Sequence, residues 1–406
     1  MKKTILSIIL LTSLNVISKT YYVSVVSVGV GSGSKENPMS SITNALTKCK
    51  DNDTIFVNSG IYNSSTTINK PCTIIGIDSV IFDGKNRAGG KICFNITANN
   101  VKIYNINIRN YTYGINIASS TGCCIDKVST SCTGDIISSY SGRGIQLGSY
   151  SVSSANSNTI INCTIRNSAA EGLSINGDNN YVFNCSIKCD ENTANAATDY
   201  YLIINGNNNI ISNCHVERIG NLSHYGHGIG FKGSCQNNLV INCRSVNMSE
   251  CFYVRHRGVK YNTFVKCKAY NSVEGAYAIR DGASYNTFTN CSDTLGYSSI
   301  DFFDTVEDGG ATYCGRFNIF NNCSFKDKQV GIYFNEYSVE SIADSNLVAN
   351  CTFENIKYFT EVSRANGENF ISNCILKNIP QYKSGSTQLN LKTSYIRFIN
   401  SQTIKP

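Results

Sequence analysis

From residue 158 onward the chain alternates apolar and polar positions in short bursts, each broken by Gly, Asn or Ser. GLSINGDNNYVFNCSIKC (172–189) and YLIINGNNNIISNCHVERI (201–219) are two such stretches. Alternation with a period of two sends successive side chains to opposite faces of an extended strand, so bursts of this kind between turn formers predict short strands. One spacing shows how they repeat. Asn-x4-Cys occurs at Asn158/Cys163, Asn180/Cys185, Asn209/Cys214, Asn238/Cys243, Asn262/Cys267, Asn286/Cys291, Asn318/Cys323, Asn346/Cys351 and Asn369/Cys374, with the cysteines 22 to 32 residues apart. That interval matches one coil of a parallel β-solenoid. Coils stacked about 4.8 Å apart put each repeated residue over its counterpart, so the asparagines are expected to bond along a turn and the cysteines to line an interior column.

Upstream, DTIFVNSGIYN, CTIIGIDSVIFDG and VKIYNINIRNYTYGINI continue the strands without the Asn-Cys pair, which starts the coils near Asp53. Between Ser40 and Cys49 the period changes. Ile42, Ala45, Leu46 and Cys49 fall on one helical face, a short amphipathic helix suited to cover the open end of a solenoid. The strands around Leu389 to Ile399 are expected to close the other end. No proline-rich or charged linker interrupts the chain, so one domain is expected: a cap over 19–52, coils over 53–380 and a closing segment over 381–406.

Residues 1–18 stand apart. Met1-Lys2-Lys3, the apolar run Ile5 to Leu14 and a small polar stretch have the proportions of a secretory signal peptide, and the run is too short to span a bilayer. The mature protein is therefore expected to be exported, secreted or else periplasmic or at the cell surface, as a monomer and without a membrane segment. Nineteen cysteines in an exported chain would ordinarily mean a disulfide framework, but here their positions favour buried thiols packing as small apolar groups. Sequons at Asn162, Asn184 and Asn290 sit beside ladder cysteines in predicted strands, where a glycan is hard to place. The formal charge of +7 fits nucleic acid, an acidic surface or an acidic substrate. For an exported chain, an anionic polysaccharide is the expected partner and nucleic acid is not.

The opening YYVSVVSVGVGSGSKENPMSSITNALTKCKDNDTIFVNSGIYN, followed by these coils, resembles the right-handed parallel β-helix proteins of the pectate-lyase-like superfamily. The resemblance covers nearly the whole mature chain. It implies an all-β, single-stranded right-handed β-helix of about 12–14 coils with a short N-terminal capping helix, and leaves lyase, hydrolase, epimerase and adhesive functions open. Within it, GHGIGFKGSCQNNLVINC is similar to the segment of calcium-dependent lyases that ends in a catalytic lysine, here Lys232. Lys232 with Arg255 also resembles the lysine and arginine, about one coil apart, of the alginate-lyase and chondroitinase-B group. Where those groups carry calcium-binding carboxylates, this chain has Tyr225, His227 and Glu250, so calcium is left open as a cofactor and no metal ligands are assigned.

Strand alternation sorts the cluster itself. Ile229, Phe231, Phe252 and Val254 are expected inward, and Lys232, Tyr253, Arg255 and Arg257 outward, with Arg280 or Asp281 added by the next coil. From residue 215 to 281 there are nine Lys/Arg against four Asp/Glu. Such a column suits β-elimination on a uronate polymer, where a cation neutralises the sugar carboxylate and a base removes the adjacent proton. Lys232, with its pKa lowered by neighbouring arginines, is the candidate base. Arg255 with Arg257 or Arg280 is the neutraliser, and Tyr253 or His227 the acid. His224, Tyr225 and His227 could equally be the Tyr/His pair of a C5-epimerase. Asp301 and Asp304 in IDFFD resemble the paired carboxylates of β-helix hydrolases. The plainer reading makes the outward cations a solvated face, His256 a core histidine and His215 structural. The expectation is a polysaccharide lyase, with an epimerase or hydrolase, or a non-catalytic carbohydrate-binding β-helix, as the alternatives.

Overall fold

The computed structural model describes residues 18–85, 90–133, 142–149, 155–190, 198–220, 225–304, 314–335, 343–363, 367–384 and 391–401. The segment expected to be a signal peptide lies outside them, apart from Ser18.

The Asn-x4-Cys units share one backbone plan. In every unit but Asn369/Cys374 the residue before the asparagine and the residue before the cysteine are both left-handed: Asn208 and Asn213 at φ 55°, Asn237 at 57° and Asn242 at 53°. Between them lie the buried asparagine and a three-residue strand such as Ile210–Ser212. Asparagine tolerates the left-handed region better than most other side chains, which is why most of the corners are written in it, although Tyr261, Lys266, Tyr285 and Phe317 take the same conformation. The spacing is thus the length of one short strand with a corner at each end. Asn162, Asn184 and Asn290 are themselves such corners, with Asn184 and Asn290 exposed, so these sequons sit at turns and not within strands.

These short strands stack in parallel into a 15-stranded sheet running from Thr20–Val23 through Asp53–Val57 to Leu391–Ser394. Excluding the first, fourteen strands stack from Asp53 on. The other two faces of each coil join into a second parallel sheet, and Lys268–Arg280, Ser292–Phe303, Ser324–Asn335 and Thr352–Val362 run unbroken around the corner between them. The result is an all-β right-handed parallel β-helix with one short helix.

Inside, equivalent residues pile into columns. Val240, Phe264, Phe288 and Phe320 are buried in register, and the rings of Phe264, Phe288 and Phe320 lie flat on one another at 4.7 and 4.5 Å. The asparagine ladder is continuous. Asn238 N–H donates to Asn262 Oδ1 (3.0 Å), Asn262 N–H to Asn286 Oδ1 (3.1 Å) and Asn286 N–H to Asn318 Oδ1 (3.0 Å). All nineteen cysteines are free thiols, and the ladder members are buried. Each Sγ is satisfied locally, as when Cys267 donates to the Val240 carbonyl at 3.5 Å.

The helix Ile42–Lys48 covers the N-terminal end, burying Ile42, Ala45 and Leu46, with Cys49 buried beside them. Ser41 caps it by accepting from Asn44 N–H, and the Lys70 ammonium donates to the Leu46 and Cys49 carbonyls at its other end, both at 2.8 Å. Among the described residues no helix is long and apolar enough to cross a membrane.

Candidate active site

The inward columns agree with the sequence expectation: Ile229, Phe231, Phe252 and Val254 all lie in the core. Strict alternation nonetheless breaks once per coil. Strand pairing passes from Tyr200, His227, Glu250 and Gly275 directly to Leu202, Ile229, Phe252 and Tyr277, skipping Tyr201, Gly228, Cys251 and Ala276. Tyr201, Cys251 and Ala276 belong to the core as well. Two inward residues in succession shift the phase, so each coil presents its outer face at the position before the pair, then at the first and third residues after it. This brings His227 and Glu250 onto the face that carries Tyr253, Arg255 and Lys232.

The face is not a solvated column of cations. Arg255 and Arg280 are each 6% exposed and each is bound to a carboxylate. Arg255 Nε donates to Asp281 Oδ2 at 2.7 Å, and Arg280 Nη1 to Glu250 Oε1. The second oxygen of Glu250 meets His227 Nδ1 at 2.7 Å. Burial alone would raise the Glu250 carboxyl, but Arg280, His227 and Arg255 together hold it down, at about 2. The His227 ring stacks on Tyr200 at 4.9 Å, with Tyr253 buried behind both.

Asp301 follows Tyr253 and Ala278 in the same outward column. It is buried, and burial first, then the nearby charges of Glu250 and Glu274, push its carboxyl well above the ordinary range despite Arg280. Its Oδ1 has no hydrogen-bond partner among the described residues. Gly275 makes the room: a Cβ there would stand 2.8 Å from Asp301 Cβ. Two contiguous hollows open over this column, of ≈ 490 Å³ and ≈ 340 Å³, both lined by Glu274 and Phe303. Tyr200, Tyr225 and His227 line one end, and Tyr297, Tyr333 and Asp301 the other. Beyond Asp301, Tyr297 Oη donates to Glu361 at 3.4 Å.

In three dimensions the chain is similar to the catalytic domain of a GH87 alpha-1,3-glucanase in complex with nigerose, with a TM-score of 0.60, 14% identity, and 95% of this chain and 69% of that one covered. It is also similar to pre-mature bacteriophage phi29 gene product 12, with a TM-score of 0.63, 12% identity, and 89% and 54% covered. A tailspike protein of an E. coli bacteriophage, in complex with a pentasaccharide, gives a TM-score of 0.54 at 8% identity, with 88% and 74% covered. The chain shares its right-handed parallel β-helix fold with these proteins. No protein-family model and no curated protein sequence matches it.

On this β-helix the residues expected from sequence divide. Arg255, Arg280, His227 and Tyr225 line the groove, and Asp301 lies on its floor. Arg280 and Asp281 both join the cluster, so the choice between them falls away. Lys232 stands at the margin, its Nζ 5.2 Å from the centre of the Tyr200 ring, and the arginines expected to crowd it are paired with carboxylates. Arg257 is exposed in the turn after the strand, away from the groove lining, and His256 is a half-buried corner at φ 84° instead of an inward strand residue. Tyr253 faces outward but is buried under its neighbours. His215 pairs with Glu217 at 3.1 Å on another face, and His224 lies outside the described residues. Asp304 is buried and does not line the groove. Tyr200, Glu274, Tyr297 and Tyr333 were missed. Aligning the inward columns of successive coils and reading the flanking positions would have found them. Among the described residues no group of three or more His, Cys, Asp or Glu is placed to hold a metal ion.

Proposed function

We propose that the groove takes a glycan and that the protein is a carbohydrate-active enzyme that hydrolyses a glycosidic bond, with Asp301 as acid and Glu274 as the partner carboxylate. The observation that carries this reading is the Asp301 carboxyl: buried, favoured in its neutral form, and with an unpartnered oxygen at the floor of an aromatic-walled groove. A carboxyl kept neutral near neutrality can give its proton to the bridging oxygen as the bond to the anomeric carbon breaks. Glu274, exposed at the junction of the two hollows, either takes a proton from the attacking water or attacks the anomeric carbon itself, and the anomer first released tells which. Glu250, with both oxygens engaged, positions His227 and Arg280. The saccharides held by the glucanase domain and the tailspike on this fold support a glycan in the groove.

A second reading, β-elimination on a uronate polymer, draws on one observation. Lys232 and Arg255 follow Phe231 and Val254, which pair in register, so they succeed one another on the groove face. The two readings separate by product. The protein is incubated with neutral and uronate polymers, with and without calcium, while reducing ends, chain length and ultraviolet absorbance are followed. New reducing ends without an absorbing unsaturated end, lost in Asp301→Asn, are the expected result. An absorbing product that survives Asp301→Asn and disappears in Lys232→Ala would transfer the site to elimination. Altered uronate stereochemistry at constant chain length would make it an epimerase, and binding without any product would make it a binding module.

A further inference from the structure

We infer that the protein pairs with a second copy of itself through the outer face of the 15-stranded sheet, where its sequence raises the expectation of a monomer. Nine strands of that sheet, from Thr159–Ile161 to Asn369–Ser372, stack in register, and each turns two side chains outward, eighteen in all. None of the eighteen is charged, and eleven are aliphatic or aromatic. On the neighbouring face, the same two positions of the strands that follow the cysteines carry eight charged residues over the same nine coils, Arg166, Lys188, Glu217 and Arg244 among them. Strand propensity acts on both faces alike, so it does not account for the difference. Tyr181, Ile210, Ile319 and Phe370, all outward on the uncharged face, are each more than a third exposed.

The order of residues identifies the occupant. In the first outward column Tyr181, Ile210, Leu239 and Thr263 lead to the middle, and Thr287, Ile319, Leu347 and Phe370 lead away from it. Ring, aliphatic, aliphatic and hydroxyl thus read alike from either end. A two-fold axis lays each end of a patch on the other, so a contact between identical copies requires this self-complementarity. With the axis along the strands, between the coils of Thr263 and Thr287, the two β-helices run antiparallel. Tyr181 then faces the partner's Phe370, and Ile210 the partner's Leu347. Nine coils about 4.8 Å apart, each about five steps of 3.3 Å wide, offer roughly 700 Å² per copy, close to the about 800 Å² of a stable interface. Copies that carry +7 repel one another, and they approach at least cost through a face without charge. A lipid surface or a glycan makes no use of a column that is the same in both directions.

The test is the mass of the purified protein in solution, by sedimentation velocity over a range of concentrations, with the chain made in a bacterium so that the corner asparagines carry no glycan. A dimer that dissociates on dilution is expected. Ile210→Lys and Leu347→Glu are each expected to weaken pairing by about 100-fold or more, because each leaves a charge at the interface without a partner. Combined in one chain they are expected to recover at least about tenfold over either alone, since the new charges meet across the axis, whereas within one copy they stand five coils, about 24 Å, apart. Ser324→Lys, on the neighbouring face where Lys268 holds the same column, is expected to change nothing. Circular dichroism and melting temperature check that all four variants fold. A monomer throughout, a trimer, association indifferent to Ile210→Lys and Leu347→Glu, or a double variant no tighter than the singles would overturn the inference. A monomer that this face carries onto lipid vesicles or an insoluble glycan would do the same. The groove lies on the other sheet, so neither result bears on the glycan reading.

Discussion

Asp301 and Glu250 are both buried carboxyls on one face of the β-helix, and their neighbours drive them in opposite directions. Glu250 has a cation on each oxygen and is held at about 2, whereas Asp301 has burial and two nearby carboxylates against a single guanidinium. The signs for stability differ accordingly. Asp301, raised on folding, favours the fold below the ordinary carboxylate range and loses that contribution as pH rises through its folded value. Asp301→Asn keeps the shape without the charge. It is expected to raise the melting temperature at neutrality, to change it little in mild acid, and to lower turnover by about 100-fold or more. Thermal scans at the two pH values together with kcat check this. Glu250 contributes above the ordinary range and loses its contribution as pH falls toward about 2. Glu250→Gln leaves Arg280 buried without its carboxylate and is expected to destabilise by about 3–5 kcal/mol, measured from urea midpoints. A third carboxyl, Asp293, lies inside the helix against Lys328 at 3.0 Å, and burial pushes it up to about 6. Its contribution is present in acid and is lost as pH rises through that value. Lys328→Met alone should cost about 3–5 kcal/mol, and adding Asp293→Leu should restore most of it, because two apolar residues can replace a buried pair.

At the level of the coil, the element that repeats is a corner, a buried asparagine, three strand residues, a second corner and a buried cysteine. Asn262 shows what the ladder is worth. Its Oδ1 accepts from both the backbone and the side chain of Asn238, at 3.0 and 2.8 Å, and its Nδ2 donates to the Cys235 carbonyl at 3.2 Å. Asn262→Ala strands these buried groups and is expected to cost about 2–4 kcal/mol, at least twice the loss from Asn213→Ala at a half-buried corner. Guanidinium unfolding of the two variants makes the comparison. The thiol column predicts a reactivity pattern: in the native protein an alkylating reagent should reach Cys124 and Cys132, the two half-buried members, well before the other seventeen. Mass spectrometry of peptides from briefly treated protein reads this. The coil was legible in the sequence because identical spacing forces identical geometry. Asn-x4-Cys gave the repeat, the period-two alternation the inward residues, and the change of period between Ser40 and Cys49 the capping helix. The site was less legible because it depends on the one place per coil where alternation fails. A period of two cannot reveal that Cys251 and Phe252 both turn inward, and so it left Glu250 and Glu274 out of the catalytic cluster. Nor could local composition tell that Arg255 and Arg280 are matched by Asp281 and Glu250, since partners from neighbouring coils lie some 25 to 30 residues away.

Over the whole molecule, stability is a sum of layers, each touching only its neighbours. The two ends of the stack differ. The N-terminal end is sealed by Ile42–Lys48, while the last strands, Leu391–Ser394 and Arg397–Ile399, keep much of their side-chain surface exposed. Hydrogen exchange followed by mass spectrometry is expected to show amides in 391–399 exchanging fastest and those of the strands Thr263–Val265, Thr287–Thr289 and Ile319–Asn321 slowest, with protection decaying toward the C-terminal end. Equal protection throughout would mean that the stack opens as one unit. The asparagine ladder has a further property, its direction: each backbone N–H points to the side-chain oxygen of the following coil, never the preceding one, from Asn158 to Asn369. A coil copied and inserted within this run would find an acceptor ahead and a donor behind in the same sense. Tandem duplication or loss of single turns can therefore lengthen or shorten the protein without redrawing the layers on either side, and the reach of its outer faces becomes a countable, heritable quantity.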